Sequence, residues 1–479
     1  FSVVVLFLCA GILTPKEMLE GFSNKGMITV ALLFLVSEGI RQSGTLGQVI
    51  KKLLPQGKTT VFKAQLRILP SVAFISAFLN NTPVVVIFAP IIKHWAKSVN
   101  LPATKFLIPL SYVTILGGIC TLIGTSTNLV VHGMILEAGF EGFSMFELGK
   151  VGIFIAIAGI IYIFLFSKRL LPDARPDTAV PDEEVEEGEK LHRVEAVLGA
   201  RFPGINKKLK DFNFQRHYGA EVKEIKTRNG QRFVSNLEEV VLHEGDTLVV
   251  MADDTFIPTW GESSVFVLLT NGNEPDTTGK KKRWFALLLL VLMIVGATVG
   301  ELPVTKEMFP DIKLDMFFFV SITTIIMAWT NLFPARKYTK YISWDILITI
   351  ACAFAISKAM VNSGVADSVA KFIIGLSDDY GPHVLLAMVF IITNLFTELI
   401  TNNAAAALAF PLALSISAQL GVSPTPFFVV ICMAASASFS TPIGYQTNLI
   451  VQGIGNYKFT DFVRIGLPLN IITFLISII

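Results

Sequence analysis

The sequence predicts a polytopic α-helical membrane protein made of two related halves, with a small α+β domain inserted between them. Of its 479 residues, 52% are hydrophobic and 16% are charged, whereas about 25% are charged in a typical soluble domain. Apolar segments recur along the chain, one polar stretch interrupts them, and a pair of polar motifs occurs twice. This composition indicates a lipid bilayer as a partner, and the net charge of +2 gives no indication of nucleic acid.

The apolar segments are the first of these observations. They lie at about residues 1–13, 26–42, 68–92, 104–137, 149–171, 284–300, 314–332, 344–361, 383–418, 424–455 and 465–479. Several exceed the ~20 residues that one crossing requires, so we expect two passes or a re-entrant hairpin within them. The run Phe1–Cys9 has neither a Met nor a charged start, which predicts part of a first span rather than a signal peptide.

The repeated motifs are the second observation. Asn80-Asn81-Thr82 is followed by the string Gly124–Met134, and Thr401-Asn402-Asn403 is followed by Gly444–Ile454. The two glycine-led strings are identical at six of eleven positions, and the asparagines of the paired motifs are 47 and 46 residues apart. Polar breaks at matching places in two apolar halves indicate the binding site of a secondary transporter.

The repeat extends beyond these motifs and defines the domain organisation. Ser37 and Ser43-Gly44 match Ser357 and Ser363-Gly364 at an offset of 320 residues. We expect one repeat unit at about 20–171 and a second at about 340–479. The predicted domains are therefore a first membrane unit at 1–172, an inserted domain at 173–282 with its core at about 190–255, and the remaining spans at 283–479.

The polar insertion is the third observation. An acidic linker is predicted at Pro181–Gly188, and a short amphipathic helix at Gly204–Tyr218. Strands are predicted at His192–Leu198, Ala220–Thr227, Arg232–Phe233 and Thr247–Met251, with a turn at Asn229-Gly230. Basic clusters on both flanks, Lys168-Arg169 and Lys280–Arg283, place this domain in the cytoplasm by the positive-inside rule.

The residues at the breaks indicate the chemistry. An interrupted helix in hydrocarbon survives only where it is buried in protein or lines a wet cavity. Ser, Thr, Asn and unwound backbone carbonyls offer neutral oxygen atoms to Na⁺, and the free N–H groups of helix N-termini attract an anion. A site for a cation beside an anion is therefore expected. The residues give no phosphate loop, metal cluster or nucleophile–base pair, so an enzyme is not expected.

The motifs resemble those of the divalent anion/sodium symporter family. Asn80–Pro83 and Thr401–Asn403 are similar to its paired Ser-Asn-Thr motifs, and Gly124–Asn128 and Gly444–Asn448 to its later Gly/Ala-Thr-Pro-Pro-Asn motifs. The resemblance implies two inverted repeats, each with a re-entrant helical hairpin and a broken helix, and a homodimer that works by alternating access. It also implies Na⁺ as the coupling ion and, for a bacterial member, the inner membrane.

The resemblance also implies the site residues. One Na⁺ would contact Ser76, Asn80, Asn81 and the carbonyl of Gly124, and the other Thr397, Thr401, Asn402 and the carbonyl of Gly444. The anion would contact Asn80, Asn81, Thr82, Thr125, Thr401, Asn402, Asn403 and Tyr445. The Pro-Pro pair is absent, and extra amides stand at Asn80, Asn403 and Gln446. These added donors suggest sulfate, with a C4-dicarboxylate as the alternative.

The inserted domain has a resemblance of its own. Val194–Ala252 is similar to the TrkA-C domains of potassium-conductance regulators, which implies a regulatory ligand or a role in dimerisation. A ligand-gated channel is a further alternative, but the sequence lacks a Thr-Val-Gly-Tyr-Gly type of filter.

An ion exporter or Na⁺/H⁺ antiporter of the same superfamily would need a titrating carboxylate, for which Glu398 is the candidate. Glu38 and Lys358 are expected to be helix-end charges, and His132 a hydrogen-bonded packing residue.

Overall fold

The structure, a computed structural model, is predominantly helical. It describes residues 1–173, 191–199, 201–227, 231–253, 256–260, 265–270, 280–375 and 381–479. The predicted acidic linker and the Asn229-Gly230 turn lie outside these residues. The first half contains α1 (Ser2–Cys9), α2 (Pro15–Glu20), α3 (Lys25–Gln42), α4 (Thr45–Leu53), α5 (Val61–Ser76), α6 (Asn81–Ser98), α7 (Leu107–Gly118), α8 (Ser126–Glu137) and α9 (Gly149–Leu170).

The inserted region and the second half follow in chain order. The inserted region contains β1 (His192–Leu198), α10 (Phe214–Tyr218), β2 (Glu221–Lys226), β3 (Arg232–Phe233), β4 (Thr247–Ala252), α11 (Phe256–Trp260) and β5 (Phe266–Thr270). The helices after it are α12 (Lys280–Gly300), α13 (Pro303–Met308), α14 (Met316–Trp329), α15 (Tyr338–Tyr341), α16 (Trp344–Asn362), α17 (Val365–Gly375), α18 (Pro382–Leu399), α19 (Asn402–Leu420), α20 (Thr425–Ser436), α21 (Gln446–Gly455) and α22 (Phe459–Ile478).

Length and composition identify the helices that can cross a membrane. Seven helical stretches in the described residues qualify: Pro15–Gln42, Gly149–Leu170, Lys280–Gly300, Trp344–Asn362, Pro382–Leu399, Asn402–Leu420 and Phe459–Ile478. A small strand-containing region lies between the two helical halves. The predicted fold class, a polytopic helical membrane protein with a small inserted domain, is confirmed.

The long apolar segments are interrupted at the repeated motifs. The segment at 104–137 divides into α7 and α8, and the segment at 424–455 into α20 and α21. The residue before each second helix, Thr125 or Tyr445, has an extended backbone. These interruptions explain why the segments are longer than a single crossing.

The two halves pack by the same scheme. In the first half α7 contacts α5, α6 and α9, and in the second half α20 contacts α18, α19 and α22. Between the halves, α6 contacts α21, α8 contacts α19, and α9 contacts α22. This reciprocity is what a two-fold relation between the repeats produces. Close approach matters at Gly117, where an added Cβ would overlap the carbonyl oxygen of Ala73 on α5.

The inserted region folds as an antiparallel five-stranded sheet with the order β3-β2-β4-β1-β5. The predicted helix over Gly204–Tyr218 is wrong, because only Phe214–Tyr218 is α-helical, and a single 3₁₀ turn at Leu209–Asp211 precedes it. Asn206 has a left-handed backbone with φ 61°, and Lys208 forms a β-bridge with Val241. Strand β5 was not predicted, and it lies beyond the expected core at 190–255.

The sheet is docked on two helices that start at the motifs. The ammonium group of Lys93 on α6 lies 2.9 Å from both carboxylate oxygens of Glu195 on β1. A Cβ on Gly453 of α21 would lie 2.5 Å from Oγ1 of Thr247. Val197 of β1 and Leu268 of β5 are buried in the same apolar core as the membrane helices. The domain therefore contacts one helix of each repeat.

Candidate functional site

Four helices begin at the repeated motifs. They are α6, α8, α19 and α21, and the residues that precede their first turns are Asn80, Thr125, Thr401 and Tyr445. None of these four residues caps its helix with a side-chain hydrogen bond. The N–H groups of the first turns therefore lack the side-chain acceptor that usually satisfies them, and each N-terminus carries a partial positive charge.

The hydroxyl group of Tyr445 joins the motifs of the two repeats. It accepts a hydrogen bond from Nδ2 of Asn81 at 2.5 Å and lies 3.1 Å from Oγ1 of Thr125. Asn402 interacts with the same hydroxyl. Tyr445 is 8% exposed and Asn81 is fully buried. One neutral oxygen thus occupies the meeting point of both asparagine motifs.

A group of oxygen atoms surrounds Gly118 in the first repeat. Oγ of Ser76 donates to Oδ1 of Asn81 at 2.7 Å. A Cβ added to Gly118 would lie 2.6 Å from Oδ1 of Asn81 and 3.1 Å from the carbonyl oxygen of Gly124. Because Gly118 has no side chain, these oxygen atoms and Nδ2 of Asn81, at 3.1 Å from the same position, can approach its backbone closely. The residues present fit a small cation with oxygen ligands.

The second repeat places equivalent residues in a similar way. Oγ1 of Thr397 donates to Oδ1 of Asn402 at 2.9 Å and lies 2.6 Å from the carbonyl oxygen of Ala435. The counterpart of Gly118 is Ser438, whose hydroxyl would overlap a Cβ on Gly444. The position that has no side chain in the first repeat thus carries a hydroxyl group in the second. The residue-by-residue prediction missed Gly118 and Ser438, although their offset of 320 residues was a signal that could have identified them.

Two further asparagines hold the loops in position. Nδ2 of Asn128 donates to the carbonyl oxygens of Gly118 and Thr121, at 3.3 and 2.8 Å. Nδ2 of Asn448 donates to the carbonyl oxygen of Ser438 at 2.7 Å and to that of Thr441 at 3.2 Å. Both asparagines are fully buried. Their amide groups therefore donate to backbone carbonyl oxygens that lose their helical hydrogen bonds at the breaks.

Contacts between the repeats are reciprocal at the remaining motif residues. Oγ1 of Thr82 lies 3.4 Å from Oε1 of Gln446. The equivalent pair is Asn403 with Ser126, where the hydroxyl lies 3.3 Å from Oδ1 of Asn403, and Thr127 is also bonded to that oxygen at 3.1 Å. Each motif thus contacts the loop of the other repeat.

Not every expected site residue lies in this cluster. Thr401 is exposed, and Asn80 lines a cleft with Ser37 and Ser126. The cleft has room for about one water molecule. The site is therefore closed around its own polar groups in this conformation.

The charges outside the motifs have local partners. Glu38 is paired with Arg41 at 2.7 Å, and Lys358 is exposed. The ring of His132 packs against Gly142, but its Nδ1 is buried without a hydrogen-bond partner among the described residues. His132 was predicted to be a hydrogen-bonded packing residue. Its ring packs as predicted, but its Nδ1 does not form the predicted hydrogen bond in the described residues.

Glu398 lies next to the second oxygen group. Its Oε1 accepts from the backbone N–H of Ser440 at 2.9 Å and from Nδ2 of Asn470 at 2.8 Å. Its carbonyl oxygen lies 3.3 Å from Oγ1 of Thr441. The carboxylate therefore joins α18 to the loop before α21 and to α22.

Comparison with known proteins agrees with this arrangement. A family model described as "Citrate transporter" matches residues 1–418 and 313–479. An uncharacterized transporter of Synechocystis sp. is 30% identical over 98% of this chain and 90% of its own length. A probable sodium/sulfate cotransporter 3 of Chlamydomonas reinhardtii is 23% identical over 98% of this chain and 84% of its own length.

A third relative matches a shorter region. Sodium/sulfate cotransporter 2 of Chlamydomonas reinhardtii is 31% identical over 58% of this chain and 31% of its own length. The matched names and the membrane helices indicate a transport protein rather than an enzyme. The chain therefore belongs to the citrate transporter family and is a secondary transporter of the divalent anion/sodium symporter kind.

Proposed function

We propose that this protein carries a divalent anion, sulfate in the first instance, across the membrane together with Na⁺ by alternating access. The observation that carries the proposal is the convergence of uncapped helix N-termini on the motifs that Tyr445 joins. Partial positive charges and amide donors favour an anion there. The adjacent oxygen groups favour cations, and each charge screens the other.

The proposed Na⁺ sites follow the two oxygen groups. The first uses Ser76, Asn80, Asn81 and the carbonyl of Gly124, and the second uses Thr397, Thr401, Asn402 and the carbonyl of Gly444. The approach of Oδ1 of Asn81 and the carbonyl oxygen of Gly124 to the same position at Gly118 supports the first assignment. Of the residues in the two sites, Asn80 in the first and Thr401 in the second have the weakest support, because Asn80 lines a separate cleft and Thr401 is exposed.

The proposed anion site takes up the asparagine motifs of both repeats. Its residues are Asn80, Asn81, Thr82, Thr125, Thr401, Asn402, Asn403 and Tyr445. Sulfate presents four oxygens that accept hydrogen bonds, which suits a site rich in amides and hydroxyls. The names of the sodium/sulfate relatives favour this anion. The description of the matching family favours a carboxylate, so a C4-dicarboxylate is the second candidate.

The proposal also covers the membrane, the oligomeric state and the location of the sheet domain. We place it in a bacterial inner membrane as a homodimer, with the sheet domain in the cytoplasm because of the basic clusters that flank it. The resemblance of this domain to the TrkA-C type suggests a small regulatory ligand or a contribution to the dimer.

Uptake of radiolabelled sulfate into proteoliposomes tests the function. An inward Na⁺ gradient is compared with choline, and succinate or citrate is added in excess as a competitor. Sulfate uptake that requires Na⁺ and is unaffected by either competitor supports the proposal. Na⁺-driven uptake of succinate or citrate without sulfate uptake would identify a carboxylate as the substrate. Uptake that is independent of Na⁺ would show that Na⁺ is not the coupling ion.

A further inference from the structure

The two repeats differ beside the second oxygen group. Glu398, Ser440 and Asn470 form a hydrogen-bonded cluster there. Aligned by the offsets of their neighbouring motifs, the corresponding residues in the first repeat are Ala77, Cys120 and Ala156. A carboxylate, a hydroxyl and an amide thus stand where the other repeat has a thiol and two methyl groups. The cluster, which we call the Glu398 cluster, is an addition to the duplicated site.

The cluster contains oxygen atoms that lack a partner. Oε1 of Glu398 accepts two hydrogen bonds, but its Oε2 is buried without a partner in the described part of the chain. Asn470 is 7% exposed and donates from Nδ2 to both Glu398 and Ser440, and its Oδ1 also has no hydrogen-bond partner there. Buried acceptors without donors are costly, and a bound ion or water would satisfy them.

Charge balance favours a cation at this place. None of the ion pairs among the described residues involves Glu398, and the groups that contact it are a backbone N–H and a neutral amide. A charged carboxylate within a membrane-spanning helix is expensive unless a counter-charge approaches it. Carboxylate, amide and hydroxyl oxygens are the ligands that a hard cation prefers.

We infer that the Glu398 cluster binds an additional Na⁺, held by Oε2 of Glu398 and Oδ1 of Asn470. This inference deepens the proposed function and rests on it. The cluster joins α18, the loop before α21 and α22, while Thr397 of the second oxygen group precedes Glu398 directly. A cation in the cluster would stabilise the same contacts that shape the second half of the anion site. Its binding and anion binding therefore favour each other.

An additional Na⁺ changes the net charge that the protein moves in each transport cycle. Two Na⁺ ions balance one sulfate, so transport with the two duplicated sites alone would be electroneutral. An additional Na⁺ adds one positive charge for each sulfate. Reversal potentials measured in proteoliposomes with set Na⁺ and sulfate gradients give this ratio directly.

The variant Glu398→Gln tests the cluster. Wild-type protein is expected to move three Na⁺ with each sulfate, and Glu398→Gln two, so that its uptake no longer responds to the membrane potential. Asn470→Ala should keep the ratio of three but raise the half-saturating Na⁺ concentration about tenfold, because one ligand is lost. Glu301→Gln is the matched control, since this carboxylate accepts a hydrogen bond from Met145 outside the cluster.

A second readout does not depend on sulfate transport. Na⁺ is titrated into purified protein in detergent without sulfate, with choline as control, and the unfolding temperature is followed. Glu398→Gln should show a smaller maximal shift than wild-type protein and Glu301→Gln. Coincident titration curves, or equal ratios in the wild type and Glu398→Gln, would overturn the site. A current driven by a pH gradient without Na⁺ would assign the cluster to a proton and overturn it too. If wild-type protein took up no sulfate but still showed a larger Na⁺-dependent shift of the unfolding temperature than Glu398→Gln, the proposed function would be wrong. The Na⁺ site at the Glu398 cluster would still stand.

Discussion

At the centre of the site, the hydroxyl of Tyr445 contacts Asn81 and Thr125, and its counterpart in the first repeat is Thr125. A phenolic hydroxyl that reaches both motifs can release these contacts and donate to an anion. A hydrogen bond to a charged acceptor contributes about 1.5–3 kcal/mol. In the proposed anion site, Tyr445 would therefore serve as a donor whose partner changes when the anion binds.

Removal of this hydroxyl should weaken anion binding. Tyr445→Phe is expected to raise the half-saturating sulfate concentration roughly 10–100-fold, with little change in the Na⁺ requirement. Uptake at varied sulfate concentration and saturating Na⁺ measures the effect. Tyr338→Phe is the control, because Tyr338 is 49% exposed and lies outside the motifs. An unchanged sulfate dependence in Tyr445→Phe would exclude Tyr445 from the anion site.

A side chain added at Gly118 should weaken Na⁺ binding at the proposed first site. A methyl group there would lie 2.6 Å from Oδ1 of Asn81 and occupy the position given to the first Na⁺. Gly118→Ala is therefore expected to raise the half-saturating Na⁺ concentration at least tenfold, as a lost metal contact does. Gly375→Ala is the matched control, since an added Cβ meets nothing within 4 Å at that glycine. Equal Na⁺ dependence in the two variants would contradict the first Na⁺ site.

Among the elements, strand β1 and helix α6 are joined by the ion pair between Glu195 and Lys93. Burial raises the pKa of the Glu195 carboxyl, but the ammonium groups of Lys93 and Lys226 outweigh burial and bring this pKa from 4.5 to about 2. A carboxylate with a depressed pKa stabilises the folded state above its unfolded pKa. That contribution is lost as the pH falls from about 4.5 through about 2.

This ion pair should make docking of the sheet sensitive to acid. At pH 7, Glu195→Gln is expected to lower the unfolding temperature of the detergent-solubilised protein by a few degrees. The difference from wild-type protein should shrink as the pH approaches 2. Thermal unfolding over this range measures it, and Glu221→Gln is the control, because Glu221 pairs with Lys223 at the surface. A temperature difference that is independent of pH would contradict the role of the pair.

Element prediction from the sequence was accurate where the pattern was local. Strand His192–Leu198 and the breaks at the motifs were predicted because alternation and polar interruptions are visible in the residues themselves. The helix over Gly204–Tyr218 was wrong, since the left-handed backbone of Asn206 and the pairing of Lys208 with Val241 interrupt a continuous helix there. Strand β5 was missed because its pairing with β1 depends on a partner about 70 residues away.

The candidate site was predictable for a different reason. Duplication identified Asn81, Tyr445 and their neighbours without any structure, because equal spacing in two halves is unlikely to arise by chance. The sequence did not reveal the hydrogen bond between Asn81 and Tyr445, or the cluster of Glu398 with Asn470. Both join residues far apart in the chain, so three-dimensional contacts were needed to find them.

For the whole molecule, the sheet domain contacts α6 of one repeat and α21 of the other. Both helices begin at the site, so relative movement of the repeats must change these contacts. A Cβ at Gly453 would lie 2.5 Å from Oγ1 of Thr247, close enough for an engineered disulfide between the two positions. Such a link would hold the domain against α21.

A reversible cross-link tests this relation. Oxidised Thr247→Cys/Gly453→Cys protein, in a background with Cys9 and Cys120 replaced by Ala, should lose most of its Na⁺-driven uptake. Reducing agent should restore uptake, and each single cysteine variant should respond to neither treatment. Full uptake by protein shown to be cross-linked would mean that transport proceeds with the domain held in place.

The most direct test of the two-fold site compares Asn81→Ala and Asn402→Ala with wild-type protein in Na⁺-driven sulfate uptake. These asparagines are equivalent in the repeat and both reach Tyr445. Each variant is expected to remain folded, as shown by its elution and unfolding temperature, and to lose coupled uptake. Wild-type uptake in both variants would contradict the assignment of transport to this site.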